Sequence, residues 1–243
     1  MIEVILINKD KNNNYVFATV HRWNVDAYKR HVSDWPGNWT LITKQEELSK
    51  ENIKKLNSRY IFFPHWSWRV PSEILDLTEC VCFHMTDLPY GRGGSPLQNL
   101  ILRGHNSTFI SALKMTSDID AGSIYVKKLL KLKGNAQKIY EDSAEIICQI
   151  ITSIINEEPE AEPQKGEPVY FSRRTPQESK LPKSISDSKL YDFIRMLDAE
   201  GYPKAFLDHG SLNIEFFEAH LEVDGTVSAK VKIKPESNKK KSR

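Results

Sequence analysis

The sequence predicts an α/β fold with a mostly parallel sheet, followed by a small C-terminal α+β appendage. Short apolar runs that fit buried strands, such as Ile2–Ile7 and Glu79–Phe83, recur along the first part of the chain. Stretches with helical spacing separate these runs, and this alternation favours parallel strands with helices on both faces of the sheet. After about residue 157 the composition changes, and polar residues and prolines replace the apolar pattern.

The predicted strands are short and rich in apolar residues. The first, Ile2–Ile7, is followed by the polar stretch "NKDKNNNY" and not by a glycine-rich turn, which excludes the usual dinucleotide-binding fingerprint. The later strands are predicted over Trp39–Lys44, Arg59–Phe63, Glu79–Phe83, Thr108–Thr116 and Gly122–Leu132.

The predicted helices cover Gln45–Asn57, Ser95–His105 and Asn135–Asn156. Thr43 with Glu46 forms a possible capping box before the first helix. Gly104 is expected to end the second helix. In the third helix isoleucines recur at helical spacing, and Asn135 is a suitable N-cap, so we expect this helix to pack against the sheet.

Composition divides the chain into four parts. Residues 1–157 form the predicted α/β domain, and residues 158–187, which include "EPEAEPQKGEP", form a predicted linker. Residues 188–234 are predicted to form a helix and a β-hairpin, with Asp224-Gly225 at the hairpin turn. Residues 235–243 are lysine-rich and are predicted to form a disordered basic tail.

Charge and cysteine content exclude several classes of protein. A formal net charge of +2 over 243 residues does not predict the broad basic face that a large RNA requires. No apolar run reaches the length of a membrane span, and the chain opens as a strand and not as a signal peptide, which predicts a cytoplasmic protein. The three cysteines form no disulfide framework, and the scattered histidines predict no metal site.

Three polar stretches follow predicted strands, and they are the candidates for a site. They are "PHWSWRVP", "HMTDLPYGRGG" and "SDIDAG". Because ligands bind beyond the carboxyl ends of strands in an open parallel sheet, we expect these stretches to converge in one crevice. A histidine there, oriented by a carboxylate from a neighbouring loop, acts as a general base. No serine or cysteine nucleophile elbow is evident, so direct attack by a substrate amine or by water fits better than a covalent enzyme intermediate.

Several motifs together resemble the formyltransferases that use N10-formyltetrahydrofolate, a family that includes methionyl-tRNA formyltransferase and the sugar N-formyltransferases. The resemblance rests on "CFHMTDLPYGRGGSP" (Cys82–Pro96), "DIDAGSIY" (Asp118–Tyr125) and the preceding segment Arg59–Leu75. The sugar-modifying branch is further matched by Phe171–Pro176 and Tyr191–Phe206. The resemblance spans roughly residues 59–206. It implies a Rossmann-like core in residues 1–157, N10-formyltetrahydrofolate as co-substrate and no metal.

The resemblance also implies roles for individual residues. His84 takes the place of the catalytic histidine and Asp120 that of the catalytic aspartate, whereas Cys82 stands where the family has an asparagine. The positions matched to the folate-binding walls are Trp66, Trp68, Arg69, Val70, Leu88, Pro89, Ser117, Asp118 and Ile119. Apart from the resemblance, Arg92 and Gly93 are the candidate substrate-binding residues, and Arg92 is either a ligand of a substrate phosphate or a residue that fixes its loop.

The resulting hypothesis is a sugar-nucleotide N-formyltransferase. It would formylate the amine of a UDP- or dTDP-linked amino-dideoxy sugar, for surface glycan or nonulosonic-acid synthesis, without nucleic-acid or membrane partners. The terminal hairpin could pair with a second copy of the chain to form a homodimer. The alternatives are formylation of methionyl-tRNA and a catalytically inactive homologue that binds folate or a sugar nucleotide. Cys82 favours the second alternative, because a thiol is a weak donor to an oxyanion. His84, a backbone N–H or Asn99 is expected to compensate.

Overall fold

A computed structural model of the chain describes residues 5–6 and 11–235. The strands, in chain order, are β1 (Asn14–Ala18), β2 (Asn38–Ile42), β3 (Tyr60–Pro64), β4 (Glu79–His84), β5 (Tyr90–Gly93), β6 (Ser107–Lys114), β7 (Ile124–Lys131), β8 (Val169–Phe171), β9 (Ala205–His209), β10 (Leu212–Leu221) and β11 (Val227–Pro235). The α-helices are α1 (Arg22–Ala27), α2 (Lys50–Leu56), α3 (Ser72–Leu75), α4 (Pro96–Leu102), α5 (Ala136–Glu157) and α6 (Asp187–Arg195). A π-helical turn, Tyr28–Val32, extends α1, and 3₁₀ turns occupy Gln45–Glu47 and Pro176–Ser179.

Within the described residues the main sheet has six strands, in the order β2-β1-β3-β4-β6-β7. The first four are parallel, and β6 and β7 add to this sheet in antiparallel pairs. The predicted α/β fold with a mostly parallel sheet is therefore confirmed. The strand order reverses between β1 and β3, which is the kind of position where open α/β sheets bind ligands.

The start of the sheet differs from the prediction. Of the predicted strand Ile2–Ile7, only Ile5 and Leu6 lie within the described residues, and they have no strand structure. The first strand is Asn14–Ala18, where four consecutive residues are buried on both faces of the sheet. The polar residues before it masked this short strand, because apolar periodicity over five residues is a weak signal.

The helix after β2 also begins differently. The predicted box of Thr43 with Glu46 does not form, since the carboxylate of Glu47 accepts the backbone N–H groups of Thr43 and Lys44 instead. The α-helix then starts one turn later, where the Ser49 hydroxyl accepts the N–H of Asn52. The predicted cap at Asn135 is confirmed, because its side chain accepts the N–H of Lys138.

Two apolar cores cover the two faces of the sheet. On one face α1, α4 and α5 pack against residues such as Phe62, Val81 and Phe83. On the other face α2 and α3 cover Ile61, Phe63 and Cys80. Because side chains alternate along a strand, β4 directs Val81 and Phe83 into the first core and leaves His84 on the same face as Cys80 and Cys82.

The segment predicted as a linker contains regular structure. In residues 158–187, β8 pairs with β5, and Phe171 is buried among residues of the first core. Its polar and proline-rich composition concealed these contacts, because a three-residue strand leaves almost no pattern. The placement of the domain boundaries remains a prediction.

The C-terminal region holds α6 and a three-stranded antiparallel sheet, in the order β11-β10-β9. The hairpin turn at Asp224-Gly225 forms as predicted. Except for Pro235, the predicted basic tail lies outside the described residues. No helix in the described part of the chain is long and apolar enough to cross a membrane.

Candidate active site

His84 lies at the carboxyl end of β4 and is buried. Its Nε2 is 2.7 Å from the carbonyl oxygen of Gly91. A carbonyl only accepts hydrogen bonds, so Nε2 carries the proton and donates it to Gly91. The other ring nitrogen, Nδ1, faces the carboxylate of Asp120 at 3.5 Å from Oδ2. In the neutral ring Nδ1 is therefore the nitrogen that has a lone pair available for a proton.

Asp120 reaches His84 by a route that the sequence did not predict. Because β6 runs antiparallel to β4, its carboxyl end lies beside the first half of β4, where the N–H of Met115 donates to the carbonyl of Cys80. The loop after Met115 folds back towards His84. Asp120 then adopts a left-handed backbone conformation, with φ at 52°, and its carboxylate accepts the N–H of Gly93 at 2.9 Å. Left-handed backbone is uncommon for a residue with a Cβ and is a feature of many functional sites.

Cys82 lines the same cleft as His84 and Asp120. Burial, and then the negative charge of Asp120, raise the pKa of the Cys82 thiol far above its ordinary value. The sulfur is therefore a neutral thiol at physiological pH, and it is a poor nucleophile in this state. This agrees with the absence of a nucleophile elbow in the sequence.

The cleft has a volume of about 1060 Å³, which is large enough for a small-molecule ligand with more than one ring. Most of the residues predicted to form its walls do line it: Trp66, Trp68, Arg69, Val70, Ser117, Asp118 and Ile119. Leu88 and Pro89 do not. Leu88 is fully buried, its N–H lies 3.4 Å from the Ser111 hydroxyl, and the Pro89 carbonyl accepts the N–H of Val169. The turn after His84 therefore supports the site from behind and does not form its wall.

Arg92 and Gly93 line the cleft, but their polar groups are already engaged. The Arg92 guanidinium donates to the Gln164 side-chain oxygen from Nε, at 3.1 Å, and from Nη2, at 2.7 Å. Its Nη1 is 3.5 Å from the hydroxyl of Tyr170. The Gly93 N–H binds Asp120. Of the two predicted roles for Arg92, these contacts favour the one in which it fixes its loop.

Asn99 does not belong to the cleft lining. Its amide donates to the carbonyls of Gly94, Ser95 and Ser172, and its oxygen accepts from Arg103. The expectation that Asn99 could replace the family asparagine as an oxyanion donor is therefore wrong, because its donors are used to hold the start of α4 against the segment after β8.

The sequence did not assign two residues to the site: Arg173, which lines the cleft, and Gln164, which bonds to the cleft residue Arg92. Gln164 was placed in the linker, and nothing in its surrounding pattern distinguished it. The Arg173 side chain makes no ion pair and no hydrogen bond within the described residues. Arg173 is exposed at the cleft, and so is Arg69, whose side chain is also unpaired in this part of the chain. Two free guanidinium groups at a cleft favour an anionic ligand.

His65, in the first polar stretch, is not a candidate base. Its Nδ1 is 3.2 Å from the Trp23 indole nitrogen and 3.0 Å from the Asn24 amide nitrogen. Desolvation of the ring, and then the nearby His21 and His84, lower the pKa of His65 to about 3, so it stays neutral. Among the residues that the structure describes, no cluster of three or more His, Cys, Asp or Glu side chains could hold a metal ion.

The chain is similar to several known proteins. Residues 176–234 match the family model described as methionyl-tRNA formyltransferase, C-terminal domain. A methionyl-tRNA formyltransferase of Campylobacter jejuni subsp. doylei is 27% identical over 75% of this chain, and the chain spans only 59% of that relative's length. The solved 4-N formyltransferase of Francisella tularensis, at 14% identity and a TM-score of 0.64 over 90% of this chain and 97% of its own, shares the fold.

The solved methionyl-tRNA formyltransferase of Clostridium thermocellum gives a much stronger match. Its TM-score is 0.87 and its sequence identity 43%, over 91% of this chain and 99% of the other. An identity this high over nearly the full length of both chains is beyond what a shared fold alone would produce. This chain belongs to the formyltransferase family.

Proposed function

We propose that this protein transfers a formyl group from N10-formyltetrahydrofolate to the primary amine of a small anionic substrate, a UDP- or dTDP-linked amino-dideoxy sugar. The observation that carries the proposal is the pairing of His84 Nδ1 with the Asp120 carboxylate at a cleft that carries unpaired arginines. The co-substrate supplies a formyl carbon: the bond from the amine nitrogen to this carbon forms, its bond to N10 breaks, and N10 gains the proton that the amine loses.

The residues of the cleft suit a folate. Trp68 and Ile119 are large apolar side chains that remain 40% and 74% exposed, and both line the cleft. A flat ring system placed between the Trp66–Val70 loop and the Ser117–Asp120 loop would cover this apolar surface, which is favourable by about 25 cal/mol per Å². Trp66 and Trp68 meet edge to face, at 5.0 Å between ring centroids, so the aromatic wall is already formed.

His84 acts as the general base in this proposal. Gly91 holds the Nε2 proton, and the Nδ1 lone pair is left to accept the proton from the amine. The carboxylate of Asp120 then stabilises the imidazolium through Nδ1. Asp120 is itself held by the Gly93 N–H, which keeps the carboxylate directed at the ring.

The oxyanion that develops on the formyl oxygen needs a donor. Cys82 is a weak one, and the amide of Asn99 is used elsewhere. The backbone N–H groups of Gly93 and Gly94 are also occupied, by Asp120 and by the Phe171 carbonyl. We therefore assign this role to His84: once protonated, its Nδ1–H is a charged donor that the oxyanion shares with the Asp120 carboxylate.

The charge distribution supports a small substrate over a nucleic acid. Binding to RNA requires basic side chains that are free to meet phosphates. Among the lysines of the C-terminal region, three are paired with carboxylates: Lys180 with Asp208, Lys230 with Glu218 and Lys234 with Glu215. The unpaired Arg69 and Arg173 lie at the cleft, where they suit the phosphates of a sugar nucleotide.

Methionyl-tRNA is the second candidate substrate, and the names of the sequence relatives favour it. The deciding experiment offers the full-length protein N10-formyltetrahydrofolate together with UDP- and dTDP-amino sugars or with initiator methionyl-tRNA. We expect mass spectrometry to detect a gain of one formyl group on an amino sugar. Formylation of the tRNA alone would reject the sugar substrate. Binding of folate without turnover on any amine would reject the enzyme and leave a binding protein.

A further inference from the structure

Gln164 is a half-buried side chain within a mostly exposed segment between α5 and β8. Its side chain makes four hydrogen bonds. The amide nitrogen donates to the carbonyl oxygens of Asp120, at 2.7 Å, and Gly122, at 2.9 Å. The amide oxygen accepts from Nε and Nη2 of Arg92. Because a guanidinium has only donors and a carbonyl only accepts, the orientation of this amide is determined by its partners.

These contacts hold the backbone of the Asp120 loop on both sides of Ala121. Asp120 is left-handed, a conformation that a side chain disfavours and that persists only where its surroundings enforce it. The amide of Gln164 binds the carbonyl of this strained residue and that of Gly122. No other side chain within the described residues is seen to donate to these two carbonyls.

The remaining contacts connect the loop to β5. Gly91 accepts the His84 proton and the Gly93 N–H binds the Asp120 carboxylate, so β5 contacts both members of the pair. Arg92 lies between these two glycines and is bound by Gln164. Gln164 therefore connects the backbone of Asp120 to Arg92 of β5, while the neighbouring Gly93 binds the Asp120 carboxylate. These contacts together fix the position of Asp120 relative to His84.

We propose that Gln164 is a positioning residue that sets the distance and orientation between the Asp120 carboxylate and His84. This inference rests on the proposed formyl transfer. Small errors in such a geometry are costly, because a displacement of about 1 Å at a catalytic group reduces rates by roughly a hundredfold.

The segment itself does not depend on the Gln164 side chain. Two backbone hydrogen bonds between Glu162 and Ile124, at 2.8 and 2.9 Å, attach it to β7. A variant at Gln164 should therefore fold with the segment in place. A loss of activity in such a variant would then report on the position of Asp120 and not on the stability of the fold.

The test compares Gln164→Ala and Gln164→Glu with Gln177→Ala. Gln177 is an exposed glutamine of the following 3₁₀ turn and serves as the matched control. In Gln164→Glu an oxygen can still accept from Arg92, but the two donations to the Asp120 loop are lost. We expect kcat to fall between about tenfold and a hundredfold in both Gln164 variants, with KM changed by less than about threefold. Gln177→Ala should behave as the wild type.

A double variant distinguishes positioning from structural support. If Gln164 acts through Asp120, then Gln164→Ala should cost almost nothing further in Asp120→Asn. Wild-type turnover in Gln164→Ala or in Gln164→Glu would overturn the proposal. So would a loss in the double variant equal to the product of the two single losses.

An NMR measurement tests the proposal without any turnover. The His84 ring resonance, assigned by its absence in His84→Ala, should shift in Gln164→Ala and stay in place in Gln177→Ala. An unmoved resonance in Gln164→Ala would overturn the positioning role. Failure of the wild type to formylate any amine would instead overturn the proposed function, so the two failures are distinguishable.

Discussion

At the scale of single residues, the site depends on which atoms are already engaged before a substrate arrives. The Nε2 of His84 donates to the Gly91 carbonyl, and its Nδ1 faces Asp120. Arg92, Gly93 and Asn99 have their donors bound within the protein. Arg69 and Arg173 have no partner for theirs among the residues that the structure describes. We infer that the residues with bound donors hold the site in shape, and that the two arginines contact the substrate.

The first prediction concerns the catalytic pair. His84→Ala removes the proposed base, and Asp120→Asn removes the charge that stabilises its protonated form. We expect kcat to fall by at least about a hundredfold in each, with folate binding retained. His220→Ala, at an exposed histidine of the C-terminal sheet, is the matched control and should keep full activity. Near-normal rates in folded His84→Ala would reject the assignment.

The second prediction concerns Cys82. Its thiol is neutral, half-buried and packs beside apolar residues, so we expect Cys82→Ser to change kcat by less than about threefold. Steady-state kinetics with a thermal melt for each variant makes the comparison. A loss of tenfold or more without unfolding would mean that the sulfur itself takes part. A wild type that binds folate but turns over only after Cys82→Asn would mean that the missing amide has abolished catalysis.

At the scale of secondary-structure elements, the pairing of β5 with β8 controls the site. Gly94 donates to the Phe171 carbonyl at 3.0 Å, and the Phe171 ring lies against Gly91. A short strand from the predicted linker therefore supports the strand that carries both His84's acceptor and Asp120's donor. This explains how a segment of polar, proline-rich sequence can matter to the chemistry of the cleft.

The third prediction tests this pairing. A Cβ at Gly93 would lie 2.5 Å from the Phe171 carbonyl oxygen, so Gly93→Ala must push β8 away. Gly104→Ala is the matched control, because Gly104 also has a positive φ but a Cβ there meets nothing within 4 Å. We expect Gly93→Ala to lower the free energy of unfolding by roughly 2 kcal/mol more than Gly104→Ala, and to reduce kcat. Urea denaturation measures the first effect, and equal losses in the two variants would contradict the role of β8.

At the scale of the whole molecule, one carboxylate connects the C-terminal region to the main sheet. Asp198, after α6, accepts from Asn135 at the start of α5, from Lys204 and from the backbone N–H of Glu218 in β10. Arg195 adds two bonds to the carbonyls of residues 132 and 134. The C-terminal region is therefore held by buried polar contacts to the loop between β7 and α5.

The fourth prediction is a pH dependence of stability. Burial alone would raise the pKa of Asp198, but the bonds from Lys204, Glu218 and Asn135 outweigh it and lower the pKa below 3.8. A carboxylate with a lowered pKa contributes stability above its unfolded pKa, and this contribution is lost as the pH falls through the folded value. We expect thermal stability to decline below about pH 4, and the decline to be shallower in Asp198→Asn.

The same charge change at an exposed site, Asp34→Asn, is the control for this prediction. It should leave the decline as steep as in the wild type. A decline in Asp198→Asn that matches the wild type would mean that other carboxylates, and not Asp198, cause the loss of stability in acid.

Local sequence was sufficient for much of this molecule. The isoleucine repeat and the Asn135 cap of α5, the hairpin turn at Asp224-Gly225 and the apolar run of β4 are set by residues within a turn or two of each other, and all were predicted. The wall residues Trp66–Val70 and the pairing of His84 with Asp120 followed from the family resemblance, because those residues come in a recognisable order.

Tertiary structure alone decided the rest. Gln164 lies 44 residues from Asp120 and 72 from Arg92, and no periodic pattern links positions so far apart. The antiparallel direction of β6, the burial of Leu88 and the engagement of Asn99 likewise depend on which strands become neighbours. Hydrogen-bond partners are chosen by distance in space after the sheet has formed. For this reason the sequence could indicate the residue types of the site but not which of their donors remain free.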